Sequence, residues 1–123
     1  MVLSPYSDRQ SVDKIWFVCR ARGDSPVEQF IERLDPRTRT ATWRVFDWVE
    51  TYGPMRDTER LRHLGGDVLE IKVHHPVAVR YLGFKADIGV VITRAVRKPG
   101  NAVLQQLIRQ TQWLHDEYER TRS

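Results

Sequence analysis

The chain has 123 residues, enough for one domain and too few for two. A hydrophobic content of 41% with 29% charged residues excludes an intrinsically disordered protein. The net charge of +4 allows an anionic partner without requiring one. The single cysteine, Cys19, excludes an intrachain disulfide and a cysteine-based zinc site, so we expect a cytoplasmic protein. No run of about 18 uncharged apolar residues occurs, so we expect no membrane-spanning segment.

The N-terminal third predicts an arm, a strand and a helix. Residues 1–13 are polar and rich in turn formers, which predicts a loose arm. Residues 14–21 (KIWFVCRA) are rich in β-branched and aromatic side chains and predict a strand. Ser25, Pro26 and Glu28 form a capping-box sequence, which predicts the start of a helix. Its apolar stripe consists of Val27, Phe30, Ile31 and Leu34.

A second helix and a connecting segment follow. Asp35 and Pro36 repeat the helix-start signal, and Gly53 predicts the end of that helix. Residues 55–66 contain few apolar side chains and predict a surface connection with a basic edge, formed by Arg56, Arg60, Arg62 and His63.

The C-terminal half predicts three strands and a helix. Apolar and polar residues alternate over residues 67–74, and further strand patterns follow at residues 77–84 and 89–96. These three segments predict an antiparallel meander. Asn101 is the predicted cap of a terminal helix with 3.6-residue apolar spacing.

The predicted fold class is therefore α+β, with the element order β-α-α-β-β-β-α in one domain over residues 14–123. We expect a small antiparallel sheet with the helices packed on one face. The other face is then partly free, and a free sheet face is a suitable place for a functional site.

Basic side chains are concentrated on the predicted strands. Alternation places Glu70, Lys72 and His74 on the less apolar face of one strand, and Arg80 interrupts an apolar stretch of the next. Three more basic residues end the last strand: Arg94, Arg97 and Lys98. If these groups converge, their guanidinium and ammonium groups suit a phosphate backbone. The alternative is that they are solvated or paired across strands.

The remaining chemistry-bearing residues give no catalytic pattern. His74 and His75 are adjacent, so on a strand they point to opposite faces and cannot address one substrate together. The four histidines lack the spacing of a metal site, so we predict no metal. No glycine-rich phosphate loop opens a helix, so we expect no nucleotide cofactor.

Three motifs carry a resemblance to a known family. Residues 66–73 (GDVLEIKV), 79–84 (VRYLGF) and 88–98 (IGVVITRAVRK), the last followed by Pro99, resemble the HigB branch of the RelE/ParE toxin superfamily. The resemblance extends over residues 14 to about 119 and includes the order of the elements. The chain departs from the family pattern over residues 93–95 (TRA).

The resemblance implies a RelE-like fold and a set of site residues. Lys72 occupies the family's basic strand position, Arg80 matches the arginine of the next strand, and Arg97 with Lys98 matches the pair that ends the last strand. The resemblance implies that Lys72, Arg80 and Arg97 are catalytic. From these positions and the strand pattern we expect Lys98, Arg94 and His74 to contact RNA.

The implied activity is that of a toxin of a type II toxin-antitoxin system. Such an mRNA interferase, an endoribonuclease, cuts translated mRNA on the ribosome, and a HigA-like helix-turn-helix antitoxin is the expected partner. Basic groups would stabilise phosphate charge during 2′-oxygen attack, with His74 or Glu70 as a candidate base. Two alternatives stay open: a gyrase poison of the ParE kind, and a non-catalytic nucleic-acid-binding or protein-binding module.

Overall fold

The computed structural model describes residues 1–54 and 59–122, and within them the chain forms an α+β fold. Its elements are β1 (Val2–Pro5), β2 (Ile15–Cys19), α1 (Pro26–Glu32), α2 (Pro36–Tyr52), β3 (Leu61–Gly65), β4 (Val68–Val73), β5 (Val79–Ala86), β6 (Gly89–Arg97) and α3 (Asn101–Thr121). The predicted α+β class is confirmed. None of the helices in the described ranges is long and apolar enough to cross a membrane.

The sheet is larger than predicted and is mixed. Its strand order is β1-β2-β6-β5-β4-β3. The predicted meander is confirmed, because β4, β5 and β6 pair antiparallel in sequence order. The prediction of a small antiparallel sheet is wrong: the sheet has six strands, and β2 lies parallel to β6. The predicted order also lacked two strands, β1 and β3.

Both additional strands come from segments that looked like loops. Four residues of the segment predicted as a loose arm pair with β2 as strand β1. Residues 61–65 of the predicted surface connection form β3 on the opposite edge of the sheet. The part of that connection at residues 55–58 lies outside the described residues. The two edge strands have four and five residues, too few to show a hydrophobic periodicity, so the sequence pattern does not reveal them.

Predicted capping positions begin the first two helices. The Ser25 hydroxyl accepts from the Glu28 amide at 3.2 Å, and an Asp35 carboxylate oxygen accepts from the Thr38 amide at 3.1 Å. Each helix has proline in its first turn, where no amide is needed. For α3 the predicted cap is displaced by one residue, since Gly100 occupies the N-cap position and Asn101 is the first helical residue.

Helices cover both faces of the sheet, so the prediction of helices on one face is wrong. The larger core lies between the sheet and the α1–α2 pair and includes Phe17, Phe46, Ile71 and Tyr81. A smaller core lies on the other face, where Tyr118 of α3 packs on Phe84 with ring centroids 5.5 Å apart. The face expected to be partly free is therefore the face that α3 packs against, and we call it the α3 face.

Candidate functional site

Strand directions bring the predicted basic residues to one end of the sheet. Because β4 and β6 run antiparallel to β5, the C-terminal ends of β4 and β6 lie beside the N-terminal end of β5. Lys72, Arg80 and Arg97 occupy those three strand ends. We call this the basic end of the sheet. The opposite end carries the carboxylates of Asp67 and Asp87, which lie 3.3 Å from the His115 imidazole and 3.6 Å from the Arg122 guanidinium.

Lys72 and Arg80 are the two predicted site residues that the sheet register places directly side by side on neighbouring strands. They are direct cross-strand partners on β4 and β5, so both side chains lie on the α3 face. Their side chains are 21% and 22% exposed. Two cations held side by side at a partly open surface are a suitable arrangement for one phosphate group.

Glu70 lies between these two cations and is 3% exposed. One carboxylate oxygen is 3.8 Å from the Lys72 Nζ, and the other is 3.8 Å from the Arg80 Nε. These distances are too long for hydrogen bonds. The Oε2 atom of Glu70 is buried, and no hydrogen-bond partner for it is found within the described parts of the chain. The cluster therefore carries two positive charges and one negative charge, with the negative charge removed from solvent.

Arg97 does not join this cluster. It is paired with Val79, one position along from the Arg80 and Val96 pair, so its side chain projects to the opposite face. There it lies near the loop between α1 and α2. The pKa of Asp35 is below its usual value mainly because the Thr38 hydroxyl and amide donate to its carboxylate, and the Arg97 guanidinium lowers it a little further.

The other three predicted site residues are dispersed around the basic end. The Arg94 Nε donates to the Gln110 side-chain oxygen at 3.0 Å, and burial lowers the pKa of this arginine. Lys98 adopts a left-handed backbone conformation with a φ of 42°, and its amide donates to the Ala78 carbonyl. His74 is exposed, with its Nε2 2.8 Å from the Glu59 carbonyl oxygen.

A cleft of about 460 Å³ lies between α1 and the C-terminal part of β6. Four arginines line it, and we call it the arginine cleft: Arg20, Arg33, Arg94 and Arg97. Arg20 is ion-paired with Asp24 and donates to the Gln29 side chain at 3.2 Å. The guanidinium groups of Arg33 and Arg97 have no hydrogen bond or ion pair to any described residue.

The sequence reasoning missed Arg20 and Arg33 as members of this site. Arg20 follows a buried strand and Arg33 follows a short helix, and neither position has a distinctive local pattern. They meet Arg97 only because β2 lies parallel to β6 and α1 packs beside both strands. That pairing joins segments about 80 residues apart, and no local signal predicts it.

Among residues 1–54 and 59–122, no group of three or more histidine, cysteine or acidic side chains is arranged to hold a metal ion. No protein-family model matches the chain, and neither a curated protein nor a solved structure matches it. The geometry of the basic end therefore carries the functional argument.

Proposed function

We propose that the protein is an endoribonuclease toxin of a type II toxin-antitoxin system, with a RelE-like fold, that cuts mRNA on the ribosome. The observation that carries the proposal is the cross-strand pair of Lys72 and Arg80 at the basic end of the sheet. The expected order, β-α-α-β-β-β-α, is contained in the observed order once β1 and β3 are set aside. A shared order of secondary-structure elements supports a shared fold more strongly than it supports a shared reaction.

The chemistry of the pair is compatible with RNA cleavage. The 2′-hydroxyl loses its proton to water and its oxygen attacks the adjacent phosphorus to give a 2′,3′-cyclic phosphate. The bond from phosphorus to the 5′-oxygen breaks, and the leaving oxygen takes up a proton from water. The Arg80 guanidinium would neutralise the charge that develops on the phosphate oxygens. The Lys72 ammonium would assist, either by lowering the pKa of the 2′-hydroxyl or by neutralising the leaving oxygen. Arg97, Lys98, Arg94 and His74 would contact the RNA around this centre.

Glu70 is better suited to orienting these cations than to accepting a proton from RNA. Its side chain is 3% exposed, so an RNA hydroxyl has no direct approach to it. Its carboxylate lies 3.8 Å from the Lys72 Nζ and from the Arg80 Nε, so its charge attracts both cations on the α3 face. We propose that the ribosome positions the message for in-line attack, which would explain a site that has cations and no exposed carboxylate base among the residues the structure describes. The expected setting is the cytoplasm, with a HigA-like antitoxin as the inhibiting partner.

Induction in cells with mapping of mRNA 5′ ends tests the proposal. The wild-type protein is expected to produce new ends within translated messages. Lys72→Ala and Arg80→Ala are expected to reduce them about 100-fold, the usual effect of removing one electrostatic contact to the reacting group. Lys85→Ala is the matched control, because Lys85 is exposed at the other end of the same strand as Arg80.

Two results would contradict the proposal. Growth arrest with intact messages and damaged DNA would favour the gyrase poison. Harmless expression of a protein that still retards RNA in a gel would favour a binding module. A binding module has some support in the structure, because Glu70 partly neutralises Lys72 and Arg80 and because Arg97 lies on the other face.

A further inference from the structure

Strand β6 has an edge without a strand neighbour. Its pairing with β5 extends to Arg97, but its pairing with β2 ends at Ile92, opposite Phe17. Beyond that point β2 ends at Cys19 and the chain turns away into α1. In the described parts of the chain, residues 95–97 therefore have a strand on one side only.

Backbone groups of this edge are directed into the arginine cleft. The Lys98 amide donates to the Ala78 carbonyl at 2.9 Å, and Arg80 is paired with Val96. Backbone groups alternate in direction along an antiparallel strand, so those of Ala95 and Arg97 point away from β5. Both residues line the cleft. Amide and carbonyl groups at an open strand edge are the groups that an added peptide strand uses.

The floor of the cleft is apolar. Val27, Phe30 and Leu34 of the α1 region and Ala95 of β6 line it. The Phe30 ring packs edge-to-face against Tyr81, with centroids 6.2 Å apart. That ring is part of the core packing and is a poor platform for stacking a nucleic-acid base. The floor is suited to the aliphatic side chains of a peptide.

The rim of the cleft is strongly positive. Arg33 and Arg97 are exposed and have no hydrogen bond or ion pair to a described residue, while Arg94 is held in place by Gln110. The nearby carboxylates are those of Asp24, which is already paired with Arg20, and Asp35, which caps α2. Guanidinium groups bind carboxylates through paired hydrogen bonds, so the rim is complementary to acidic side chains.

We propose that the arginine cleft binds an extended, acidic peptide segment of a partner protein, which adds to the open edge of β6 as a further strand. The peptide backbone would pair with Ala95 and Arg97. The aliphatic side chains of the peptide would cover the floor of the cleft, and its carboxylates would bind the arginines of the rim. This inference goes beyond the proposed function, because the binding requires no RNA cleavage by Lys72 and Arg80.

Fluorescence anisotropy with a synthetic probe tests the inference. The probe is a fluorescein-labelled peptide of alternating glutamate and valine, about six residues long, the usual length of a strand. Arg33→Gln and Arg97→Gln are each expected to raise its Kd about ten-fold, the effect of one charge-assisted hydrogen bond. Arg109→Gln is the matched control, since Arg109 is exposed on α3 and does not line the cleft; its Kd is expected to equal that of the wild type.

A second probe separates strand addition from charge attraction. The same peptide with N-methyl groups on alternate amides keeps its carboxylates but cannot pair with a strand on that side. When the N-methyl groups lie on the amides that would face β6, we expect the peptide to lose its binding to the wild-type protein. Circular dichroism is expected to show the same fold for every variant, because all the substituted arginines are exposed.

Three outcomes would overturn the inference. The first is equal binding of the N-methylated and unmodified peptides in both registers. The second is an unchanged Kd in Arg33→Gln and Arg97→Gln. The third is tighter binding of a non-cleavable, 2′-O-methylated RNA oligonucleotide that is weakened about ten-fold by Arg33→Gln, at a residue that the proposed function does not place against RNA, which would make the cleft an RNA site. None of these depends on mRNA cleavage in cells, so a failure of the proposed function is distinguishable from a failure of this inference.

Discussion

Two glutamates, Glu50 and Glu70, are buried to a similar degree and differ in their partners. Glu50 of α2 is 2% exposed and accepts hydrogen bonds from the Ser7 hydroxyl at 2.5 Å and the Ile15 amide at 2.7 Å. The Arg9 guanidinium adds a longer contact at 3.4 Å. Glu70 of β4 is 3% exposed, has cations at 3.8 Å, and its Oε2 atom has no hydrogen-bond partner among the residues that the structure describes.

The difference separates a carboxylate that joins three segments by hydrogen bonds from one that lies beneath two surface cations. Glu50 joins the N-terminal segment, β2 and α2, and its hydrogen bonds offset the cost of burying its charge. The Oε2 atom of Glu70 finds no such bond in the described parts of the chain, so the burial of this carboxylate contributes little to stability. What it provides is a fixed negative charge beneath two cations at the surface. Buried polar groups with poor hydrogen bonding are concentrated at functional sites.

Of the substitutions that test this difference between the two glutamates, Glu50→Gln is expected to have the largest effect on the free energy of unfolding. Glu50→Gln replaces one accepting oxygen by a donating NH2 group, which then faces the Ser7 hydroxyl or the Ile15 amide. We expect the free energy of unfolding to fall by about 2 kcal/mol, the cost of an unsatisfied buried group. Urea denaturation measures it, and Glu32→Gln on the exposed surface of α1 is the control. A loss no greater than that of the control would refute the structural role of Glu50.

The same substitution at Glu70 is expected to have a smaller effect on stability. Glu70→Gln removes a buried charge whose Oε2 atom has no hydrogen-bond partner among the described residues, and Lys72 and Arg80 stay partly exposed to water, so the free energy of unfolding should change by less than about 1 kcal/mol. The positive charge around Lys72 and Arg80 rises by one unit. Retention of a non-cleavable RNA oligonucleotide should therefore increase and become more dependent on salt. A destabilisation equal to that of Glu50→Gln would mean that the two carboxylates have the same role.

The smallest expected effect concerns a polar contact at the other end of the α3 face. The Tyr118 hydroxyl donates to the Asp87 carboxylate. Burial, with the Asp87 contact, raises the pKa of Tyr118 to about 12, and the same hydrogen bond lowers the pKa of Asp87. The Asp87 contribution is present above its unfolded pKa of about 4 and is lost as the pH falls below it. The Tyr118 contribution is present below its unfolded pKa of about 10 and is lost as the pH rises toward 12.

The stability difference between the wild type and Tyr118→Phe is therefore expected to be constant from about pH 4 to pH 10 and to shrink on both sides. Urea denaturation at a series of pH values measures it. Tyr52→Phe is the control, because Tyr52 is 64% exposed and its variant should show no such window. A difference that grows below pH 4 would show that Asp87 is not the partner whose charge matters.

Local sequence determined most of the regular structure. Capping residues and apolar spacing place α1 and α2, and period-2 alternation places β4, β5 and β6, because these signals act within a few residues. The same alternation puts Glu70 and Lys72 on one face of β4, and the register then brings Arg80 opposite Lys72. The core of the proposed site is therefore visible in the sequence.

Tertiary structure alone decided the rest. The parallel contact of β2 with β6 brings Arg20 and Arg33 to Arg97, and the docking of α3 buries Glu70 on a face that alternation marked as exposed. The register between β5 and β6 pairs Arg97 with Val79 and not with Arg80. Arg97 and Arg80 therefore lie on opposite faces, although both are at the same end of the sheet. Such relations join segments far apart in the chain, so they depend on how whole elements pack and leave no periodic signal in any one of them.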